Sequence, residues 1–331
     1  MLSNHTSDPI ESQLREEALY KPYQSLNAYL KKKYGEKIYK IALDGGFTCP
    51  NRDGTCGTRG CIFCSAGGSG EFATAIRQNS SIDAQITQAL ARFGNKQTGQ
   101  RFIAYFQAYT GTYAAPERLY ALYHMALSHP KIIGISIATR PDCLPAPVLD
   151  VIKQCQMEFP DKFVWIELGL QSVHEKTALY IRRGYPLSCF EGALETLQTM
   201  SVPVIVHVIL GLPGETRADM LATIDYLSHK NIFGIKLQLL HVLRGTDLAA
   251  EYERGVFSCL SKEAYIDLLC SCIDHLNPAI VLHRVTGDGP KDLLIAPIWS
   301  LQKRDVLNSL HKALRDGEHF QGKDFGNHRP L

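Results

Sequence analysis

Short apolar runs alternate along the chain with longer segments in which apolar residues return every three or four positions. The runs predict strands near Lys37–Leu43, Arg101–Gln107, Lys131–Ala138, Phe163–Leu168, Pro203–Leu210, Gly234–Leu240 and Ala279–His283. Ile132-Ile133-Gly134-Ile135-Ser136-Ile137 is almost unbroken, as in strands covered on both faces. The periodic segments predict helices. One spans Tyr23–Tyr34 and ends in Lys31, Lys32 and Lys33, which suits a helix C-terminus. Another is capped by Ser81, with Ile82, Ile86, Leu90 and Phe93 on one face. A third starts at Pro116, with Leu119, Leu122, Tyr123 and Ala126 inward. Others fit Pro147–Met157, Ser188–Met200, Arg217–His229 and Ser261–His275, and Trp299–Arg315 carries Leu301, Val306, Leu310 and Leu314 inward. Repeated βα units with parallel strands mean an α/β fold, either a doubly wound sheet or a barrel. Both gather function on the loops after the strands' C-terminal ends.

Composition narrows the class. Hydrophobic residues are 45% and charged residues 21% of 331, enough for a sizeable core and too few charges for a disordered chain. A net charge of +2 neither demands nor forbids a nucleic-acid or membrane partner. The longest apolar stretch, Val202–Leu212, contains Pro203 and His207 and is too short to span a bilayer. The polar, acid-bearing start is no secretory signal, so a cytoplasmic setting without membrane is expected. Ten cysteines in a reducing compartment point to metal or redox chemistry rather than a disulfide framework.

Four of those cysteines fall in one long, glycine-rich connection, residues 44–80, after the first strand. A loop that long inside a compact domain is functional or misassigned. Cys61-x-x-Cys64 is a tight chelate, and Cys49 and Cys56 are further candidates. Thiolates suit zinc, copper(I) and iron–sulfur clusters. By spacing alone three readings stand: a non-catalytic, zinc-stabilised binding module using Cys49, Cys56, Cys61 and Cys64, a metal-free redox pair, or an iron–sulfur cluster.

The segment Leu-Asp-Gly-Gly-Phe-Thr-Cys-Pro-Asn-Arg-Asp-Gly, followed by Gly-Cys-Ile-Phe-Cys, resembles the radical S-adenosylmethionine (SAM) superfamily. Within it, the chain is similar to the YhcC/YtqA-like group, related to the radical-SAM part of the Elongator catalytic subunit. The superfamily's usual Cys-x3-Cys-x2-Cys has a wider first gap here. The resemblance implies an incomplete TIM-type barrel of about six or seven βα units, with an N-terminal helix and a C-terminal helical extension. It divides the chain into a mobile leader (1–22), the partial barrel (23–285) and an extension closing the open side (286–331). It also implies a [4Fe-4S] cluster on Cys49, Cys61 and Cys64, with Cys56 outside the ligand set. The cluster would cleave SAM to a 5′-deoxyadenosyl radical that abstracts hydrogen from a substrate, and a low-potential donor such as flavodoxin or ferredoxin would reduce it.

Four strand ends carry polar clusters: Tyr105 to Thr112, Ser136 to Asp142, Glu167 to Ser172, and His207 to Thr216. The resemblance places Phe63 near the adenine, Glu167 and Gln171 near the SAM ribose and substrate, Arg183 on the SAM carboxylate and Gly211 close to the adenine. Physically, a carboxylate accepts two hydroxyls, glutamine donates and accepts, and arginine grips a carboxylate bidentately. The plain alternatives are a buried Phe, a surface arginine and a glycine turn. The Gly-Gly-Glu that often binds the SAM amino group is missing, and Gln107 and Thr110 stand in its place. Arg284 and Asp288 could touch substrate or pair with each other. Cys259, Cys270 and Cys272 raise an auxiliary cluster against ordinary burial. The substrate stays open among transfer RNA, favoured by the Elongator likeness and Lys31–Lys33, a small metabolite and a protein side chain.

Overall fold

The computed structural model describes residues 22–68, 70, 81–93 and 99–326. The leader apart from Pro22, residues 71–80 of the cysteine loop, the Phe93 side chain and the last five residues lie outside them. In chain order the strands are β1 (Tyr39–Leu43), β2 (Phe102–Phe106), β3 (Ile132–Thr139), β4 (Phe163–Gln171), β5 (Val204–Leu210), β6 (Gly234–Leu239), β7 (Val242–Leu243), β8 (Val281–Arg284) and β9 (Leu294–Ala296). Strands β1 to β6, then β8, form one sheet in that order, every neighbouring pair parallel. The sheet curls into a half-barrel whose two edges, β1 and β8, do not pair with each other.

Successive side chains on a strand point to opposite faces, and the two faces differ here. Outward residues such as Ile135, Ile166, Val206 and Leu237 are buried against the helices in one large core. Inward residues form layers. The lowest is apolar: Ile103, Trp165 and Ile205 meet Leu30 of the helix Leu26–Tyr34, which covers the strands' N-terminal end. That helix is capped by Ser25, whose Oγ accepts from the Ala28 N–H, and ends at Gly35, whose φ of 78° closes the last turn. It is tied to the sheet edge where Leu282 N–H donates to the Gln24 carbonyl.

Ser81 caps the next helix as its sequence predicts, Oγ accepting from the Ala84 N–H at 3.2 Å. Helices Pro116–Ser128, Ala146–Glu158, Leu187–Thr199, Arg217–Ser228 and Lys262–His275 agree with the periodicity to within a residue or two. The last helix departs from expectation. It starts at Lys303, after a 3₁₀ turn over Ile298–Leu301, so Leu301 is 39% exposed instead of inward. Val306, Leu310 and Leu314 are buried as expected, against the helix Lys262–His275. The antiparallel pair β7–β9 and the short helices Glu175–Tyr180 and Asp247–Glu253 have no counterpart in the sequence reading.

Candidate functional site

At the C-terminal ends of the parallel strands lies a cavity of about 250 Å³. It brings together Cys49, Cys61, Cys64, Phe63, Gln107, Thr110, Glu167, Gln171 and Arg183, drawn from the cysteine loop, the ends of β2 and β4 and the segment after β4. Two residues stand outside it. Gly211 makes the turn after β5 with φ 87°, its N–H directed at the Met220 sulfur. Cys56 is exposed and borders a separate depression with Pro50, Tyr113 and Asp142.

The cysteine loop folds on its own backbone and on a few buried side chains. Arg52 N–H donates to the Cys49 carbonyl at 2.8 Å, and Cys64 N–H to the Cys61 carbonyl at 3.0 Å. Asn51 is buried and joins two segments. Its Nδ2 donates to the Arg182 carbonyl (2.8 Å), the Arg183 carbonyl (3.3 Å) and Cys61 Sγ (3.4 Å). Gly184 faces it at φ 83°, where an added Cβ would stand 2.7 Å from Asn51 Oδ1. Arg52 Nη2 donates to the carbonyls of Cys64 (2.9 Å) and Ser65 (2.5 Å). Burial, with neighbouring Cys64 adding to it, pushes the Cys61 thiol up to about 11, while the Asn51 amide opposes the shift.

Among the described residues no three His, Cys, Asp or Glu side chains are placed to hold a single metal ion. Cys56 is exposed on a separate depression, so the four loop cysteines do not share one site. Three thiols on one cavity, with an amide donor on one sulfur and the Arg52 and Arg140 guanidiniums acting on them, do fit a larger anionic iron–sulfur group.

Below the cysteines the barrel carries a buried polar layer, one or two side chains per strand. Its centre is Glu167, 1% exposed. Oε1 accepts from Lys40 Nζ (2.5 Å) and Ser136 Oγ (2.5 Å), and Oε2 from His207 Nε2 (2.6 Å) and Lys236 Nζ. Lys236 also donates to Tyr105 Oη at 3.0 Å. Both ammoniums lie over the Tyr105 ring, 4.4 and 4.8 Å from its centre. Burial works to raise the Glu167 carboxyl, but Lys236, Lys40 and His207 hold it well below the usual carboxylate range. Burial pulls Lys236 down to about 7 against the pull of Glu167, and lowers Lys40 as well. Burial, helped by Lys236, lowers His207 to about 4, so it sits neutral in this layer.

Sequence reasoning missed Lys40, Lys236 and Asn51 as site residues. The available signal was a single lysine at an inward register of an otherwise apolar strand, as in Gly234-Ile235-Lys236-Leu237. Three expected ligand contacts sit in a different chemical setting. Glu167 has every acceptor position engaged by the chain itself. Arg183, 2% exposed, donates to the carbonyls of Tyr185 (3.0 Å), Leu170 (3.1 Å) and Ser172 (2.7 Å). Gln171 is the more open group. It sits at φ 66° where the β4–β5 register shifts, and its Oε1 is buried without a partner. Arg284 and Asp288 do pair, at 3.2 Å, and both border the cavity. Cys270 and Cys272 are buried in the main core while Cys259 packs against a different apolar cluster, so the three do not converge.

The Radical SAM superfamily profile matches residues 54–227, and the Radical_SAM C-terminal domain matches 232–316. The chain is 41% identical over 305 residues to the uncharacterized protein YtqA of Bacillus subtilis, covering 92% of this chain and 93% of that one. It is 37% identical to protein YhcC of Escherichia coli K12 over 87% of this chain and 90% of the other. Among solved structures, archaeal Methanocaldococcus infernus Elp3, lacking part of its N-terminus, superposes with a TM-score of 0.63 at 13% identity. That match covers 85% of this chain and 63% of that one, a likeness of fold. The chain belongs to the radical SAM superfamily. No helix among the described residues is long and apolar enough to cross a membrane.

Proposed function

We propose that this superfamily member is a radical SAM enzyme holding one [4Fe-4S] cluster on Cys49, Cys61 and Cys64. The observation that carries the reading is the common cavity of those three cysteines, from which Cys56 is excluded. Bound together, cluster and SAM supply a 5′-deoxyadenosyl radical that takes hydrogen from a substrate, with an electron from a donor of the flavodoxin or ferredoxin type.

The chain's own residues do the rest. Cys49, Cys61 and Cys64 would hold the cluster by three thiolates, and Cys56 would take no part. Asn51 donates to Cys61 Sγ and fixes the cysteine loop against residues 182–184. Phe63 offers an apolar surface for the adenine beside Ile181 and Ile209. Gln171 presents an unpartnered carbonyl oxygen suited to a ribose hydroxyl. Gln107 and Thr110, at the end of β2, are set for the amino acid end of SAM. Glu167 and Arg183 serve as fixed framework, one anchoring the polar layer and the other clamping the loop after β4. The enclosing walls keep water from a reactive radical.

The test is anaerobic reconstitution of the wild type, Cys56→Ala and Cys61→Ala. Wild type and Cys56→Ala are expected to hold about four irons per chain and to release 5′-deoxyadenosine under strong reductant. Cys61→Ala is expected to lose both. SAM cleavage retained in Cys61→Ala refutes the ligand assignment.

A further inference from the structure

The polar layer and the walls around it hold more positive than negative side chains, and they border open space. A second depression of about 410 Å³ opens at the seam between β1 and β8. It shares Tyr105, Gln107, Lys236, Arg284 and Asp288 with the cavity above, so these residues form a common wall. Lys40 and Arg92 line the outer side. Four positive side chains (Lys40, Lys236, Arg284 and Arg92) therefore meet two carboxylates, Glu167 and Asp288.

Both carboxylates are already committed. Glu167 accepts from four donors, and Asp288 takes Arg284 and, at 2.7 and 3.0 Å, Lys303. An ammonium has three protons, and Lys40 and Lys236 each have two acceptors here, so one N–H on each is left over. Arg284 has five N–H donors and one carboxylate neighbour. Lys236 is nearly enclosed, and the positive charge here exceeds the two committed carboxylates, so a partner that enters is favoured when it is negative.

We propose that the substrate carries a compact anionic group, a carboxylate or a phosphate, which seats against Lys236, Lys40 and Arg284 between β1 and β8. This rests on the radical SAM reading of the same cavity and names its substrate class. A small molecule fits better than a nucleic-acid backbone. Lys236 is 5% exposed and lies within the barrel, whereas a phosphodiester continues on both sides. The exposed run Lys31–Lys33 is on the helix covering the opposite end of the barrel and cannot extend this site into a track for RNA. The lowered basicity of Lys236 agrees with a cation awaiting its counter-ion, because a bound anion restores its proton.

The experiment is calorimetric titration of the full-length, cluster-reconstituted protein with malonate, inorganic phosphate and neutral malonamide. Wild type is expected to bind malonate or phosphate but not malonamide, and the tighter of the two identifies the group. Lys236→Met is expected to weaken that binding by about thirty-fold and Arg284→Gln by about ten-fold. Arg284 is at the cavity edge, so its variant is read independently should Lys236→Met fold poorly. Malonate affinity should fall from pH 6.5 to 8.5 as Lys236 loses its proton. Heats for both malonate and phosphate no greater than for malonamide, or affinities unchanged in both variants, overturn the proposal. So does transfer RNA binding that survives both substitutions without malonate or phosphate uptake. Iron content and SAM cleavage of the same preparation report separately on the cysteine site, so the two readings fail distinguishably.

Discussion

Replacing Glu167 by glutamine removes the counter-charge of two buried lysines while keeping the side chain's size. In the native chain its oxygens receive four donors and are buried away from bulk solvent. The amide of Gln keeps one acceptor and turns the other into a donor aimed at an ammonium or a histidine. Removing one partner of a buried ion pair typically costs about 3–5 kcal/mol, and this carboxylate serves two. The deficit has a pH signature. Without Glu167 the upward pull on Lys236 and Lys40 disappears, so both lose protons at lower pH in the native state than in wild type. The unfolded lysines stay protonated up to about pH 10. Between the variant's lysine pKa and the wild-type value near 7, the unfolded variant then binds more protons than the native one. Its stability climbs by about 1.4 kcal/mol per pH unit for each such lysine, while wild type gains nothing from Lys236 there. The gap between the two proteins should be widest at the acidic end of the range and narrow as the pH rises to about 7. Urea unfolding from pH 5.5 to 8 measures it. A variant within about 1 kcal/mol of wild type at pH 6, or a gap that widens with pH, refutes the counter-ion role.

Two further substitutions probe the support of the cysteine loop. Gly184→Ala should cost about 1–3 kcal/mol in urea unfolding, because a Cβ at φ 83° also presses on Asn51 Oδ1; an unchanged midpoint removes that reasoning. Asn51→Ala should lower stability by about 1–3 kcal/mol and loosen iron retention, since the Arg182 and Arg183 carbonyls and Cys61 lose their donor. Asn51→Asp, which has no N–H to give, should do no better than alanine, and full iron retention in that variant contradicts the donor role.

The parallel strands and the cysteine loop were legible because both are written locally. Ile132–Thr139 advertises burial on two faces, and Cys61-x-x-Cys64 is a chelate at any level of description. Lys40, Glu167 and Lys236 are a different matter. A lone lysine in an apolar strand is a local signal, but its pairing across 127 or 69 residues is not, and only the curl of the sheet converts three unrelated strand positions into one ionic group. Arg183 was read for its charge. Its use follows from the left-handed turn at Gln171, which directs the Leu170 and Ser172 carbonyls inward, where a buried guanidinium satisfies them. The Leu301 register failed for a local reason: the 3₁₀ turn at Ile298–Leu301 shifts the periodicity before the helix begins.

The helix Leu26–Tyr34 has one more implication. A chamber made by a curled sheet has two openings, and this segment stoppers one of them with Leu30 and the rings beside it. Traffic of reactants is thereby confined to the rim and the lateral slit. A change made in that early stretch, far along the chain from any thiol, would be felt as solvent rising from beneath into the cavity that the three cysteines border.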